Sequence, residues 1–319
     1  MIYAYQIESS RLVECDKESA AILVYLQPTE AEKEDLLRVS GLDPMDLESV
    51  YDPDEVPRVE TFGDSTLLIW KCPDNAAIVE PPVQFNVSSL GIVIGRGRAI
   101  LIVPRGAFNL AGRDFKQVLS VEDGVLRVLL HFVHHYQAHL KAIKMMSQEL
   151  QAKIVMSLEN RYLLQMFALG ESLVYYHNAL EANLTVLSKL RAAPDRLKLA
   201  AEHLPILDDV IIEYQQASKQ AFIYSTVLSG LMDARGTIVN NNMNVLLKNL
   251  TIINVVFLPL NLIASIGGMS EYSSMTNGIP WPLSYGLFSL AMAVLGWGTW
   301  WWLGKVIERN QRRVGQANR

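Results

Sequence analysis

Charged residues disappear from the last quarter of the chain in two places. Between Lys248 and Glu271 lie 22 uncharged residues, Asn249 to Ser270, and between Glu271 and Lys305 lie another 33. A bilayer core about 30 Å thick takes roughly 20 apolar helical residues, so each stretch is long enough to cross one. The second opens with Tyr272-Ser-Ser-Met-Thr-Asn-Gly-Ile-Pro-Trp-Pro282, too polar and too rich in Pro and Gly for a helix interior. The pattern predicts a first span over 249–268, an outer loop over 269–281 and a second span over 283–303. Trp297, Trp300, Trp301 and Trp302 fit an aromatic belt at a membrane surface.

Upstream, the pattern changes character twice. Short β-rich runs occur at Ile2–Ile7, Ala21–Leu26, Thr66–Lys71, Val83–Ile94 and Ala99–Val103. A helix opened by Pro28-Thr29, with Thr29 as N-cap, lies between the second and third runs. This predicts an α/β domain over 1–110. Helical spacing of Leu, Met and Ala then runs from about 112 to 192 and breaks at Pro194. A second helical pattern leads from about 196 straight into the first span, with Pro205 starting it late or kinking it. Residues 111–248 therefore read as a helical region ending in a long stalk, and Pro259 predicts a bend within the span.

The lower end of the stalk carries a seam. Asn244, Leu247, Thr251, Asn254, Leu258, Asn261 and Ser265 recur at three- and four-residue spacing. Polar groups inside a membrane face a bundle interior or a water-filled path, although amides also serve simply to hold helices together.

Charge adds orientation. The tail 304–319 holds Lys305, Arg309, Arg312, Arg313 and Arg319 against Glu308 alone, whereas the outer loop holds only Glu271. By the positive-inside rule the tail is cytoplasmic, and two spans then place the N-terminus there too. No basic stretch followed by an apolar run marks a signal peptide at the start. Residues 1–248 hold 23 basic and 31 acidic side chains, which argues against nucleic acid as a partner. Cys15 and Cys72 stand far apart with no Cys-x-x-Cys, so a disulfide framework or zinc finger is not indicated. No Gly-x-x-x-x-Gly-Lys-Ser/Thr loop and no nucleophile–His–acid spacing appears, so the chain reads as no enzyme and needs no cofactor. Gly95-Arg-Gly-Arg98 reads as a hairpin turn rather than a dinucleotide fingerprint.

The segment from Gly230-Leu-Met-Asp233 through Asn244, Leu250-Thr-Ile252 and Phe257-Leu-Pro-Leu260 to Gly268-Met-Ser270 resembles the CorA superfamily of divalent-cation transporters. Gly41-Leu-Asp-Pro-Met-Asp-Leu-Glu48 and Pro57-Arg-Val-Glu-Thr-Phe-Gly-Asp-Ser-Thr-Leu-Leu68 resemble it more loosely. The resemblance implies a funnel-shaped homopentamer in a bacterial inner membrane. In it an α/β cytoplasmic domain, a long stalk helix and two C-terminal transmembrane helices surround one pore. It places Asn244, Leu247, Leu250, Leu258 and Asn261 on the pore, with Thr251 and Asn254 flanking that line and Asp233 inside its mouth. It further implies a cytoplasmic metal site between subunits at Asp209, beside Asp208, with a partner acid somewhere among the 11 acids of residues 30–60. Those acids also read as a solvated face.

The transported ion is the partner of interest. The family's outer Gly-Met-Asn reads Gly268-Met269-Ser270 here, followed by Glu271, and the loop Gly278-Ile-Pro-Trp281 resembles the ZntB zinc branch. On that loop zinc leads, with magnesium next, then nickel or cobalt; a non-conducting membrane-anchored sensor or scaffold is the other class. Against zinc stands a pore with no His or Cys, since zinc favours nitrogen and sulfur ligands. His131, His135 and His139 share one helical face at four-residue spacing, either a zinc site or an ordinary half-exposed face. No acid lies within the spans to carry a proton, which predicts downhill or weakly coupled uptake.

Overall fold

The computed structural model describes residues 1–74, 83–106, 108, 110, 112–156, 160–275 and 277–317, and within these the side chains of 154–156, 271–273 and 306–317 lie outside the description. The chain divides into two compact units, Met1–Met232 and Asp233–Arg319.

The first unit is built on one sheet. Its strands are β1 (Ile2–Glu8), β2 (Arg11–Glu14), β3 (Ile22–Leu26), β4 (Arg58–Phe62), β5 (Ser65–Pro73), β6 (Val87–Gly95) and β7 (Arg98–Val103). They lie in the order β2-β1-β3-β7-β6-β5-β4, with β3 and β7 parallel and the other described pairs antiparallel. Successive side chains of a strand point to opposite faces. Ile22, Val24, Leu68, Trp70, Leu101 and Val103 therefore enter one core, and Leu23, Tyr25, Leu67, Ile69, Ile100 and Ile102 the other. The five expected β-runs all lie in the sheet, the fourth starting at Val87 rather than Val83. The pattern missed β2 and β4, because these are outer strands with little buried surface and need no apolar alternation.

Two helices cover one face: α1 (Glu30–Ser40) and α2 (Pro44–Tyr51). Thr29 caps α1 as expected, in a capping box with Glu32, and Gly41 ends it at φ 73°. Gly91 of β6 admits α2 at close range, since a Cβ there would stand 2.7 Å from Val50. The other face is covered by α3 (Val121–Met156), α4 (Asn160–Ala192) and the first part of α5 (Leu204–Gly267).

The helical region separates into several elements. The pattern from about 112 to 192 is two helices, α3 and α4, preceded by a 3-10 turn at Arg113–Phe115. The stalk begins at Leu204, the late start expected from Pro205, after short 3-10 turns at Pro194–Leu197 and Ala201–His203. Pro205 occupies the second position of α5, where its missing N–H is not needed. The expected outer loop contains α6 (Ser270–Met275), and the last helix, α7 (Trp281–Ala317), runs through both the expected second span and most of the basic tail.

Buried polar groups tie the layers of this unit together. Trp70 donates through Nε1 to the Tyr214 hydroxyl at 2.9 Å, and that hydroxyl donates to the Leu129 carbonyl at 3.2 Å. Sheet, α5 and α3 are thereby joined in one chain of bonds. Asn183 of α4 is fully buried and bonds the Lys71 backbone twice, its Oδ1 accepting from the N–H at 3.1 Å and its Nδ2 donating to the carbonyl at 2.8 Å. Strand β4 pairs only as far as Ile69, so the amide stands where a neighbouring strand has ended.

In the second unit α5 and α7 run antiparallel and meet at glycines. A Cβ on Gly267 would lie 2.6 Å from the Phe288 ring, and one on Gly296 would lie 3.3 Å from Leu260. Gly267→Val therefore forces the ring aside, with an expected loss of about 1–3 kcal/mol. A thermal melt of the detergent-solubilised protein measures it, and an unchanged midpoint would show that the helices part freely.

Candidate ion path and cation-binding side chains

At 3.6 residues per turn, the part of α5 below Asp233 presents two opposed stripes. Ile252, Val256, Leu260, Ile263 and Gly267 are buried or half-buried, and Leu260 and Gly267 touch α7. Asn254, Leu258, Asn261 and Ser265 lie roughly half a turn away and are all exposed. Asn244, Leu247, Leu250 and Thr251 continue that exposed face, and the Thr251 hydroxyl bonds back to the Leu247 carbonyl at 2.8 Å. The seam expected from spacing is thus one uncovered stripe turned away from α7.

Much of its surroundings is apolar and equally uncovered. Leu246, Ile253, Phe257, Leu262 and Ile266 of α5 are exposed, as are Leu287, Leu290 and Val294 of α7. So much apolar surface is not left facing water in a monomeric soluble protein. Among the described residues one helix, Ala201–Gly267, is long and apolar enough to cross a membrane by length and composition. Helix α7 is rich in Gly and Trp, and Lys305 lies 4.4 Å from the centre of the Trp301 ring. At the turn after α5, Gly268 donates its N–H to the Ala264 carbonyl, and Met269 and Ser270 are exposed. The Glu271 side chain, those of Glu308, Arg309, Arg312 and Arg313, and all of Arg319 lie outside the described residues.

The expected acids sit on α5. Asp208 is gripped by Arg191 of α4 through two bonds, at 2.6 and 3.2 Å, while Asp209 beside it is exposed. Asp233 is exposed, and its carbonyl accepts from Thr237 at 3.2 Å. Of the acids in 30–60, Asp35 is committed within the unit to Lys17, Arg38 and the Tyr25 hydroxyl, and the Lys17 bond above all holds its carboxyl down at about 2.

The histidines are arranged differently from their spacing. His131 and His134 both turn to Asp114, their Nδ1 atoms 3.2 and 3.0 Å from its two oxygens. His139 instead meets the Tyr176 hydroxyl at 2.6 Å, and its ring packs edge-on to that of His135. Among the described residues no three His, Cys, Asp or Glu side chains are gathered to hold a metal ion. Sequence reasoning missed Asp114, which is 17 and 20 residues from its partners and carried no local signal.

Burial, and then the neighbouring His135, hold His139 down at about 4; burial and His131 lower His135 as well. Burial and the neighbouring His135 thus favour the uncharged His139 ring. A histidine depressed below its ordinary value near 6.5 contributes stability that is present above that pH and lost as pH falls toward 4. The urea midpoint is expected to drop between pH 7 and pH 5, and His139→Gln to flatten part of that slope. Identical slopes in the two proteins would exclude the ring as a source.

Residues 18–305 match the family described as CorA-like Mg²⁺ transporter protein. The cobalt/magnesium transport protein CorA of Methanocaldococcus jannaschii is 26% identical over 289 residues, covering 86% of this chain and 87% of that one. The complete structure of the CorA magnesium transporter from that organism superposes with a TM-score of 0.73 at 22% identity, covering 94% of this chain and 96% of that one. A ZntB cytoplasmic domain from Vibrio parahaemolyticus superposes with a TM-score of 0.56 at 10% identity, covering 75% and 98%. The chain belongs to the CorA-like Mg²⁺ transporter family. That is a family of metal-ion transporters and not of enzymes.

Proposed function

We propose that this protein carries hydrated divalent cations across a membrane through a path lined by the seam of α5 in several copies, five by the family resemblance. The observation that carries the reading is the uncovered stripe of Asn254, Leu258, Asn261 and Ser265 opposite the α7 contact. Helix α7 would be the second span and would form the outer ring, with both termini on the cytoplasmic side. Asn244, Leu247, Leu250 and Thr251 extend the lining, Gly268 to Glu271 form the outer entrance, and Asp209 and Asp233 are candidate cytoplasmic cation ligands. Asp208 is a weaker candidate because Arg191 already neutralises it.

For the ion we favour magnesium over zinc. The side chains of the seam offer amide and hydroxyl oxygen and no imidazole or thiolate. Mg²⁺ keeps its waters and takes oxygen partners, whereas Zn²⁺ gains from nitrogen and sulfur. The family description and the M. jannaschii relative support the same choice. Zinc retains the support of the Gly278-Ile-Pro-Trp281 loop, and His131, His135 and His139 add nothing to it, being turned to different partners. Uptake would be downhill, since the described spans hold no acid to carry a proton.

Liposomes reconstituted with the full chain and loaded with magnesium- or zinc-sensitive dye test both points, with and without a pH gradient. Magnesium entry above empty liposomes and above zinc is expected. Zinc entry exceeding magnesium would reverse the choice of ion. Entry of neither, before and after Ser270→Asn, would leave a membrane-anchored sensor as the function.

A further inference from the structure

The β6–β7 hairpin turns through Arg96 and Gly97, at φ of 51° and 73°. Gly95 and Arg98 pair across it, so a two-residue turn holds both central residues in the left-handed region. Such turns favour Asn or Gly, because a Cβ is strained at positive φ. Arginine is therefore the wrong residue for the turn. Its side chain gains nothing visible in return: Arg96 is exposed and has no hydrogen bond or ion pair among the described residues. Non-glycine residues held at positive φ are enriched at binding and active sites.

Two further arginines border the same place. Arg96, Arg98 and Arg38, at the end of α1, line one cavity of about 710 Å³ together with Ser40, Ser65 and Asp64. Arg38 reaches Asp35 at 2.7 Å and Arg98 bonds the Glu18 carbonyl, yet each retains unused N–H donors. Asp64 is the one carboxylate on the wall among the described residues. Residues 1–248 carry 31 acids against 23 bases, so this concentration of arginine runs against the charge of its own unit. Nothing in the ion path uses it.

We propose that this cavity binds a polyphosphate anion, either pyrophosphate or the phosphate chain of a nucleoside di- or triphosphate. A guanidinium fork matches two phosphate oxygens at once. Three arginines on one cavity wall suit a chain of phosphates better than a single one. The serine hydroxyls supply further donors, and Asp64 sets a limit on the charge the site tolerates. The proposal is independent of which cation the protein carries.

Isothermal titration of the full chain in detergent tests it, with pyrophosphate, ATP and orthophosphate as probes at low and high salt. Both polyphosphates are expected to bind at least about tenfold tighter than orthophosphate and to weaken as salt rises. ATP binding more tightly than pyrophosphate would add contacts to the nucleoside; equal binding would confine recognition to the phosphates. Arg96→Gly separates ligand binding from folding. It relieves the turn, so the melting temperature should rise, while pyrophosphate affinity falls at least about tenfold. Asp64→Asn should tighten binding. The proposal is overturned if neither polyphosphate gives saturable heat, or if affinity is unchanged in both Arg96→Gly and Arg38→Gln.

Discussion

Replacing Asn254 and Asn261 together by leucine is expected to cut cation uptake at least about tenfold while the protein still folds and inserts. Both amides lie on the exposed stripe of α5, seven residues apart and on the side opposite α7. The seam already carries Leu247, Leu250 and Leu258, so it alternates apolar rings with polar ones if copies gather round it. Removing the polar rings leaves a continuous apolar lining, which sheds water and raises the barrier for a hydrated ion. A tenfold loss needs only about 1.4 kcal/mol of added barrier. Were the stripe to face lipid instead, the same change would remove two costly amides from hydrocarbon and leave uptake intact. Dye-loaded liposomes distinguish the outcomes, and undiminished flux would put the seam on the wrong side.

The second large effect is on stability. Asn183→Ala is expected to lower the unfolding free energy of the N-terminal unit by about 2–4 kcal/mol. The loss is not mainly of packing. Deleting the amide strands the Lys71 N–H and carbonyl in a buried layer where β4 no longer reaches them. Two unsatisfied backbone groups cost more than two hydrogen bonds contribute. Asn183→Asp tests the account further: it keeps an acceptor for the N–H but places an oxygen against the carbonyl, and should be at least as harmful. A denaturation midpoint unmoved by either change would mean that water takes over both bonds.

Much of the plan was legible because it rests on local periodicity. The seam repeats at three- and four-residue spacing, and its residues are exposed, as is most of the same stretch of α5. The N-cap at Thr29 and the turn at Gly95–Arg98 were equally local, each needing only neighbours within four residues. The edge strands Arg11–Glu14 and Arg58–Phe62 were not legible, since polar strands with little burial leave no alternation to read. The histidines show the limit most clearly. Spacing grouped His131, His135 and His139 on one face, but the folded unit turns His131 and His134 to Asp114 and seals His139 against Tyr176 of another helix.

The sequence by itself determined five of the seven strands, the first helix, the apolar stretches at the end and the polar spacing within the first of them. Each of these is a property of residues a few positions apart, and hydrophobic periodicity reports such properties directly. Only the tertiary structure decided that Asn183 replaces a missing strand beside Lys71, 112 residues away, and that Arg38 joins Arg96 and Arg98 around one cavity. Partners separated by tens of residues are chosen by how sheet and helices stack. The stacking minimises exposed apolar area over the whole unit, and no window of sequence contains that sum.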